Sequence, residues 1–120
     1  MMRSRLADKE CTPCKAGTLP LAGTELKKLY NELRNGWRVV DYHHLEKDLE
    51  FKHYLTSVAF TQEVAELAEK AGHHPDITLS YDELRLVIYT HEIDGLHEND
   101  FILAAKIDRK IEEYRDKLKA

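Results

Sequence analysis

Gly72-His73-His74-Pro75-Asp76-Ile77-Thr78-Leu79-Ser80-Tyr81-Asp82-Glu83-Leu84-Arg85-Leu86-Val87-Ile88-Tyr89-Thr90-His91 is the stretch from which the fold can be read. Gly72 suits the end of a helix, and Pro75 prevents that helix from resuming. From Asp76 to Tyr81, the residues Ile77, Leu79 and Tyr81 alternate with Thr78 and Ser80. From Leu84 to Thr90, the residues Leu84, Leu86 and Ile88 share one face. Two runs of period two, joined only by Asp82-Glu83, predict a β-hairpin. The hairpin leaves from His74 and comes back to His91, so its return brings His91 beside the two histidines at the helix exit.

Upstream, Phe60, Val64, Leu67, Ala68 and Ala71 form an apolar stripe at helical spacing, with Glu63, Glu66, Glu69 and Lys70 mostly on the other side. Thr56 or Ser57 is the expected cap of this helix. Trp37 to Asp41, with β-branched Val39 and Val40, predicts a strand. Leu45 to His53 predicts another, in which Leu49, Phe51 and His53 alternate against Glu50 and Lys52. The turn between them, near Tyr42-His43, has no glycine. A first helix is predicted from Glu25 to Asn35, capped by Thr24 and stopped by Gly36, with Leu26, Leu29, Tyr30 and Leu33 on one face. Downstream, a loop from His91 to His97 contains Gly95. A last helix from Glu98 to Lys117 places Leu103, Ile107, Ile111 and Tyr114 on one face. Glu98 and Asp100 suit its N-terminal end, and Lys117 and Lys119 the other. The order is α-β-β-α-β-β-α: an α+β fold, a four-stranded antiparallel sheet with three helices on one face. Residues 1–22 lack apolar periodicity and read as a flexible N-terminal tail, leaving 23–120 as a single domain.

At 120 residues with a net charge of −4 and scattered basic residues, the chain carries no nucleic-acid footprint. No stretch approaches the roughly 20 apolar residues of a membrane span, and the first residues do not read as a secretory signal. A cytoplasmic protein without membrane or nucleic-acid partners is expected. Its two cysteines, Cys11 and Cys14, are half a zinc site or a redox pair by spacing. No second pair accompanies them, and a solvated or locally folded tail is the expectation.

From the residues alone, three readings of His73, His74 and His91 stand open. They could cap a helix end, hold a metal, or move protons near neutrality. Against the metal reading, His91-Glu92 begins like a zincin motif, but Gly95 stands where its second histidine belongs. His43, His44, His53 and His97 are expected to be surface or sheet-face residues. Asp100 and Glu69 have ordinary readings too, as a helix-dipole partner and a solvated helix residue.

The run Glu69-Lys70-Ala71-Gly72-His73-His74-Pro75, followed by Tyr81, Thr90-His91-Glu92 and Asp100, closely resembles the pterin-4a-carbinolamine dehydratase (4a-hydroxytetrahydrobiopterin dehydratase) family. The family pattern sets a charged residue ahead of His-His-Pro, then an aromatic, a histidine and an aspartate at fixed intervals. Glu69, His73, His74, Pro75, Tyr81, His91 and Asp100 meet every position. Gly36-Trp37 and Gly95-Leu96 are similar as well, and the resemblance spans about residues 24–115. It departs at Ile77, near where some members carry an aromatic residue.

The resemblance implies the same α-β-β-α-β-β-α fold and a hydro-lyase in tetrahydropterin recycling for aromatic amino acid hydroxylation. Such an enzyme removes water from a 4a-hydroxytetrahydropterin to give the quinonoid dihydropterin, with no metal or organic cofactor. It implies His73, His74 and His91 as catalytic, and Glu69, Pro75, Thr90, Glu92 and Asp100 as substrate-binding or supporting. It also implies a homodimer or homotetramer. Two other roles occur around this fold: a non-catalytic interaction or assembly factor, and a pterin enzyme of molybdopterin-related metabolism. Assembly relatives tend to lose the catalytic histidines, whereas this chain keeps all three.

Overall fold

The computed structural model describes residues 5–12, 17–33 and 36–119. Their elements run α1 (Gly23–Leu33), β1 (Arg38–Val40), β2 (His44–Glu50), α2 (Tyr54–Ala71), β3 (Asp76–Ser80), β4 (Glu83–Ile88) and α3 (Glu98–Glu113). Short 3-10 turns lie at Arg5–Asp8, His91–Ile93 and Arg115–Lys117. The four strands make one antiparallel sheet in the order β1-β2-β4-β3. This is the α+β architecture that the alternating runs predict.

Alternation sorts the sheet's two faces. Leu45 and Leu49 of β2 and Leu84, Leu86 and Ile88 of β4 are buried, and they join Phe60 and Val64 of α2 and Phe101, Leu103 and Ile107 of α3 in one core. The opposite face is polar. Arg38 Nη2 donates to Glu46 Oε1 and Asp48 Oδ2, each at 3.0 Å, and Arg85 Nε donates to Asp48 Oδ1 at 2.8 Å. Such partly exposed pairs contribute little individually, but they suit a face that the helices leave uncovered.

Several boundaries differ from the sequence expectation, for visible reasons. α2 starts at Tyr54, ahead of Thr56 and Ser57: Ser57 N–H closes the first turn on His53 O at 3.2 Å, and the buried Ser57 hydroxyl shares its proton between the carbonyls of Tyr54 (2.5 Å) and Tyr81 (3.0 Å). β2 stops at Glu50, so His53 is not on the inward face; it is exposed, at the N-cap of α2. α3 ends at Glu113, because the chain then turns to lay Leu118 against Phe51 and to donate Lys119 N–H to Glu50 O at 2.9 Å. α1 starts at Gly23, and Asn35, its expected end, lies outside the described residues, as does Cys14. The glycine-free β1–β2 turn places Asp41 and Tyr42 at φ of 53° and 55°. Successive positive φ values are the mark of a type I′ hairpin turn.

Ahead of α1, Leu6 and Ala7 are buried in the core, packed with α3 residues. Asn99 clasps this segment: its Oδ1 accepts Thr12 N–H at 3.0 Å, and its Nδ2 donates to Thr12 O at 2.5 Å.

Behind β2 lies an ion pair that alternation does not foretell. Lys47 points inward between Leu45 and Leu49, and its Nζ is 3.0 Å from Asp108 Oδ1 on α3 and 5.4 Å from the Trp37 ring centroid. Trp37 Nε1 donates to the same oxygen at 2.9 Å. Both charged side chains are nearly buried. Removing one member of such a pair leaves the other's charge uncompensated. Asp108→Ala is therefore expected to destabilise the fold by about 3 kcal/mol, read as a lower urea midpoint at unchanged m-value.

Candidate active site

α2 ends on Gly72 in the left-handed conformation (φ 67°), with Gly72 N–H donating to Glu69 O (3.3 Å) and His73 N–H to Ala68 O (3.1 Å). Glycine adopts this reversal without steric cost. The two histidines that follow part company. The His73 side chain is 12% exposed and that of His74 is 60% exposed. His74 Nε2 meets Glu69 Oε1 at 2.7 Å, across a solvated surface.

His73 turns inward to a buried carboxylate. Asp100, fully buried in the first turn of α3, has Oδ1 2.5 Å from His73 Nε2. Its Oδ2 accepts the Thr90 hydroxyl at 2.9 Å and the His97 backbone N–H at 2.8 Å. A carboxylate can only accept, so these contacts assign the proton to His73 Nε2 and leave Nδ1 as the nitrogen that can take up or release one. The positive end of α3 and three donors offset the cost of burying Asp100. Thus Asp100, expected either as a dipole partner or as an acceptor for a histidine or substrate N–H, bridges α2's exit, β4's exit and α3's start.

The hairpin brings these ends together. Asp76 pairs with Val87, so the residues leading into β3 and those leaving β4 share one end of the sheet. Thr90 is buried there and its backbone is fully engaged: its N–H donates to Gly95 O at 2.8 Å, and its carbonyl accepts Gly95 N–H at 3.3 Å. Gly95 cannot carry a side chain, since a Cβ would meet Pro20 Cβ at 2.7 Å. His91 and Glu92 are exposed in the following 3-10 turn, and the His91 ring lies 4.2 Å from that of Tyr89. Pro75 is half-buried at the start of β3. Tyr81 is remote, exposed in the β3–β4 turn at φ 57°.

Sequence reasoning missed other residues at this end. His97 is not a mere loop residue: its Nδ1 accepts Asn99 N–H at 3.1 Å, capping α3. Tyr89 packs beside His91, and His43 packs on Tyr89 and is bonded to Asp94. Continuing the β4 alternation one step beyond Ile88 would have placed Tyr89 on the outer face, opposite His44. A groove of ≈ 530 Å³ between α2 and α3 is lined by Cys11, Leu67, Lys70, Lys106 and Lys110 among others, and by none of the histidines. Burial pushes the Cys11 thiol above its ordinary pKa, so it is a poor nucleophile. Among the described residues, no cluster of histidine, cysteine and carboxylate side chains is arranged to hold a metal ion, and no helix is long and apolar enough to cross a membrane.

Known proteins supply a second line of argument. The family model described as pterin 4 alpha carbinolamine dehydratase matches residues 19–110. The chain belongs to the pterin-4-alpha-carbinolamine dehydratase family. A relative in Rubrobacter xylanophilus is 48% identical over 106 residues, covering 88% of this chain and 98% of that protein. One in Alkaliphilus metalliredigens is 43% identical over 107 residues, covering 89% and 96%. Both carry the family's name provisionally. Among solved structures, a protein from Brucella melitensis described as a transcriptional coactivator/pterin dehydratase superposes with a TM-score of 0.69 at 28% identity, over 75% of this chain and 96% of that one. A pterin dehydratase-like RuBisCO assembly factor of the alpha-carboxysome shares the dehydratase fold, with a TM-score of 0.54 at 24% identity over 63% and 89%.

Proposed function

We propose that the protein dehydrates a 4a-hydroxytetrahydropterin to the quinonoid dihydropterin in tetrahydropterin recycling, using its own histidines and no cofactor. The observation that carries this reading is the buried Asp100 carboxylate bonded to His73, at the sheet end that also bears His74 and His91. The reaction breaks the C4a–O bond, releases water and forms a C4a–N5 double bond. Hydroxide is a poor leaving group, so it needs a proton, and N5 must give one up. A general base and a general acid supply both transfers.

With Nε2–H committed to Asp100, neutral His73 has the Nδ1 lone pair free, the form that a base uses at N5. His74 is the other half of the proton-transfer pair, kept in place by Glu69. His91 holds or protonates the 4a-hydroxyl. Thr90 acts through Asp100, while Pro75 and Glu92 border the ring. A role as an assembly factor shares the fold, but it would use the buried carboxylate–histidine couple only as a junction between α2, β4 and α3, not for the proton transfer that its geometry also suits. We propose further that the protein works as a homo-oligomer in the cytoplasm.

Stopped-flow absorbance with synthetic 4a-hydroxytetrahydropterin tests the reading. The protein is expected to accelerate loss of the carbinolamine at catalytic concentration. A rate equal to the buffer control would leave only the fold in common with the enzymes.

A further inference from the structure

A second group of rings occupies the outer side of the same sheet end. The Tyr89 ring lies between two imidazoles: its centroid is 4.6 Å from that of His43, tilted by 41°, and 4.2 Å from that of His91, tilted by 45°. His43 comes from the β1–β2 turn, far from β4 in sequence. Two contacts hold it there. Its Nε2 is 2.7 Å from Asp94 Oδ1, and its Nδ1 is 3.1 Å from His44 Nδ1. The Asp94 carboxylate only accepts, so Nε2 of His43 bears a proton, and the two Nδ1 atoms share one hydrogen bond between the imidazoles. His44 in turn faces Glu46 Oε2 at 3.6 Å.

Asp94 closes the circuit. It follows the His91–Ile93 turn in the left-handed conformation (φ 48°), and its N–H donates to His91 O at 3.2 Å. The backbone of His91 is thus tied to Asp94, the side chain of Asp94 to His43, and the ring of His43 through Tyr89 back to the ring of His91. Asp94 is 87% exposed, so its pairing with His43 orients more than it stabilises. The ring contacts carry the restraint.

An exposed histidine in a three-residue 3-10 turn would otherwise sample several rotamers. A proton-transfer group tolerates little such freedom, since a misplacement of about 1 Å can cost as much as 10²-fold in rate. We infer that His43 and Tyr89 are positioning residues, which hold the His91 imidazole in one rotamer for its work on the substrate's 4a-hydroxyl. The inference rests on the role given to His91 above. Neither residue is assigned a contact with substrate.

Two readouts test it, with Tyr89→Phe as the variant that keeps the ring. In NMR spectra the His91 ring protons should carry a ring-current shift. That shift is expected to persist in Tyr89→Phe, vanish in Tyr89→Ala, and average toward the exposed value in His43→Ala. In turnover, Tyr89→Ala and His43→Ala should each lower kcat by about tenfold with KM within about twofold, and Tyr89→Phe should restore the rate. The same replacements in a His91→Ala background should cost nothing further. Equal losses in both backgrounds, or an unmoved His91 shift, overturn the inference and leave the function standing. A fully active His91→Ala protein overturns it together with the role of His91. If the wild type does not dehydrate the pterin, the functional reading fails by itself, and the ring shift alone supports or overturns the restraint on His91.

Discussion

Replacing His73 by alanine lowers dehydration of a 4a-hydroxytetrahydropterin by about 10²-fold or more, and replacing His74 does the same, as expected for loss of a general acid or base. The two variants separate on stability. His73 sits 2.5 Å from a fully buried carboxylate, and truncating it takes one of three donors from Asp100. A buried acceptor that loses a partner costs about 1–3 kcal/mol. His74 and Glu69 face solvent, so His74→Ala should unfold within roughly 0.5 kcal/mol of the wild type. Stopped-flow rates beside urea curves decide the matter. His73→Gln guards against a His73→Ala that folds poorly. Wild-type rates in a well-folded His74→Ala would strip that residue of its part in the chemistry.

The sequence made some of this legible because period-two and helical patterns report which face is buried. Leu84, Leu86 and Ile88 alternate without exception, and all three are buried. Gly72 ends α2 as its type suggests, since few residues adopt the left-handed conformation. Side-chain partners were another matter. Lys47 occupies an inward position that a charge ordinarily avoids, and only the fold brings Asp108 of α3 to it. Ser57 looked like a cap, but its hydroxyl answers the Tyr81 carbonyl, contributed by a turn that no local pattern could have placed beside it. His43 and His97 read as surface residues because isolated histidines usually are. Their roles depend on Tyr89, Asp94 and Asn99, which are remote from them or look ordinary along the chain. At the sheet end, the family motif singled out Asp100 by its interval from His91. Its contact with His73 depends on how α3 docks against the hairpin, which spacing does not encode.

That contact yields the sharpest expectation. Asp100→Asn preserves size and shape, yet it should reduce dehydration by at least about 10²-fold while the protein stays folded. Two donors, the Thr90 hydroxyl and the His97 backbone N–H, converge on Oδ2. They can be satisfied only if the oxygen of the substituted amide takes that place. The amide nitrogen then occupies the Oδ1 position and presents N–H to His73 Nε2. To accept it, Nε2 must shed its proton, and in the neutral ring the proton moves to Nδ1. The nitrogen proposed to receive a proton from the substrate would already carry one. The loss should therefore appear in kcat, with the pterin still bound and KM little changed. Histidine ¹⁵N NMR reads the tautomer directly: His73 is expected to carry its proton on Nε2 in the wild type and on Nδ1 in the variant. Full activity with the tautomer reversed would show that His73 Nδ1 is not the base, and that Asp100 serves only to pin α3 to the hairpin.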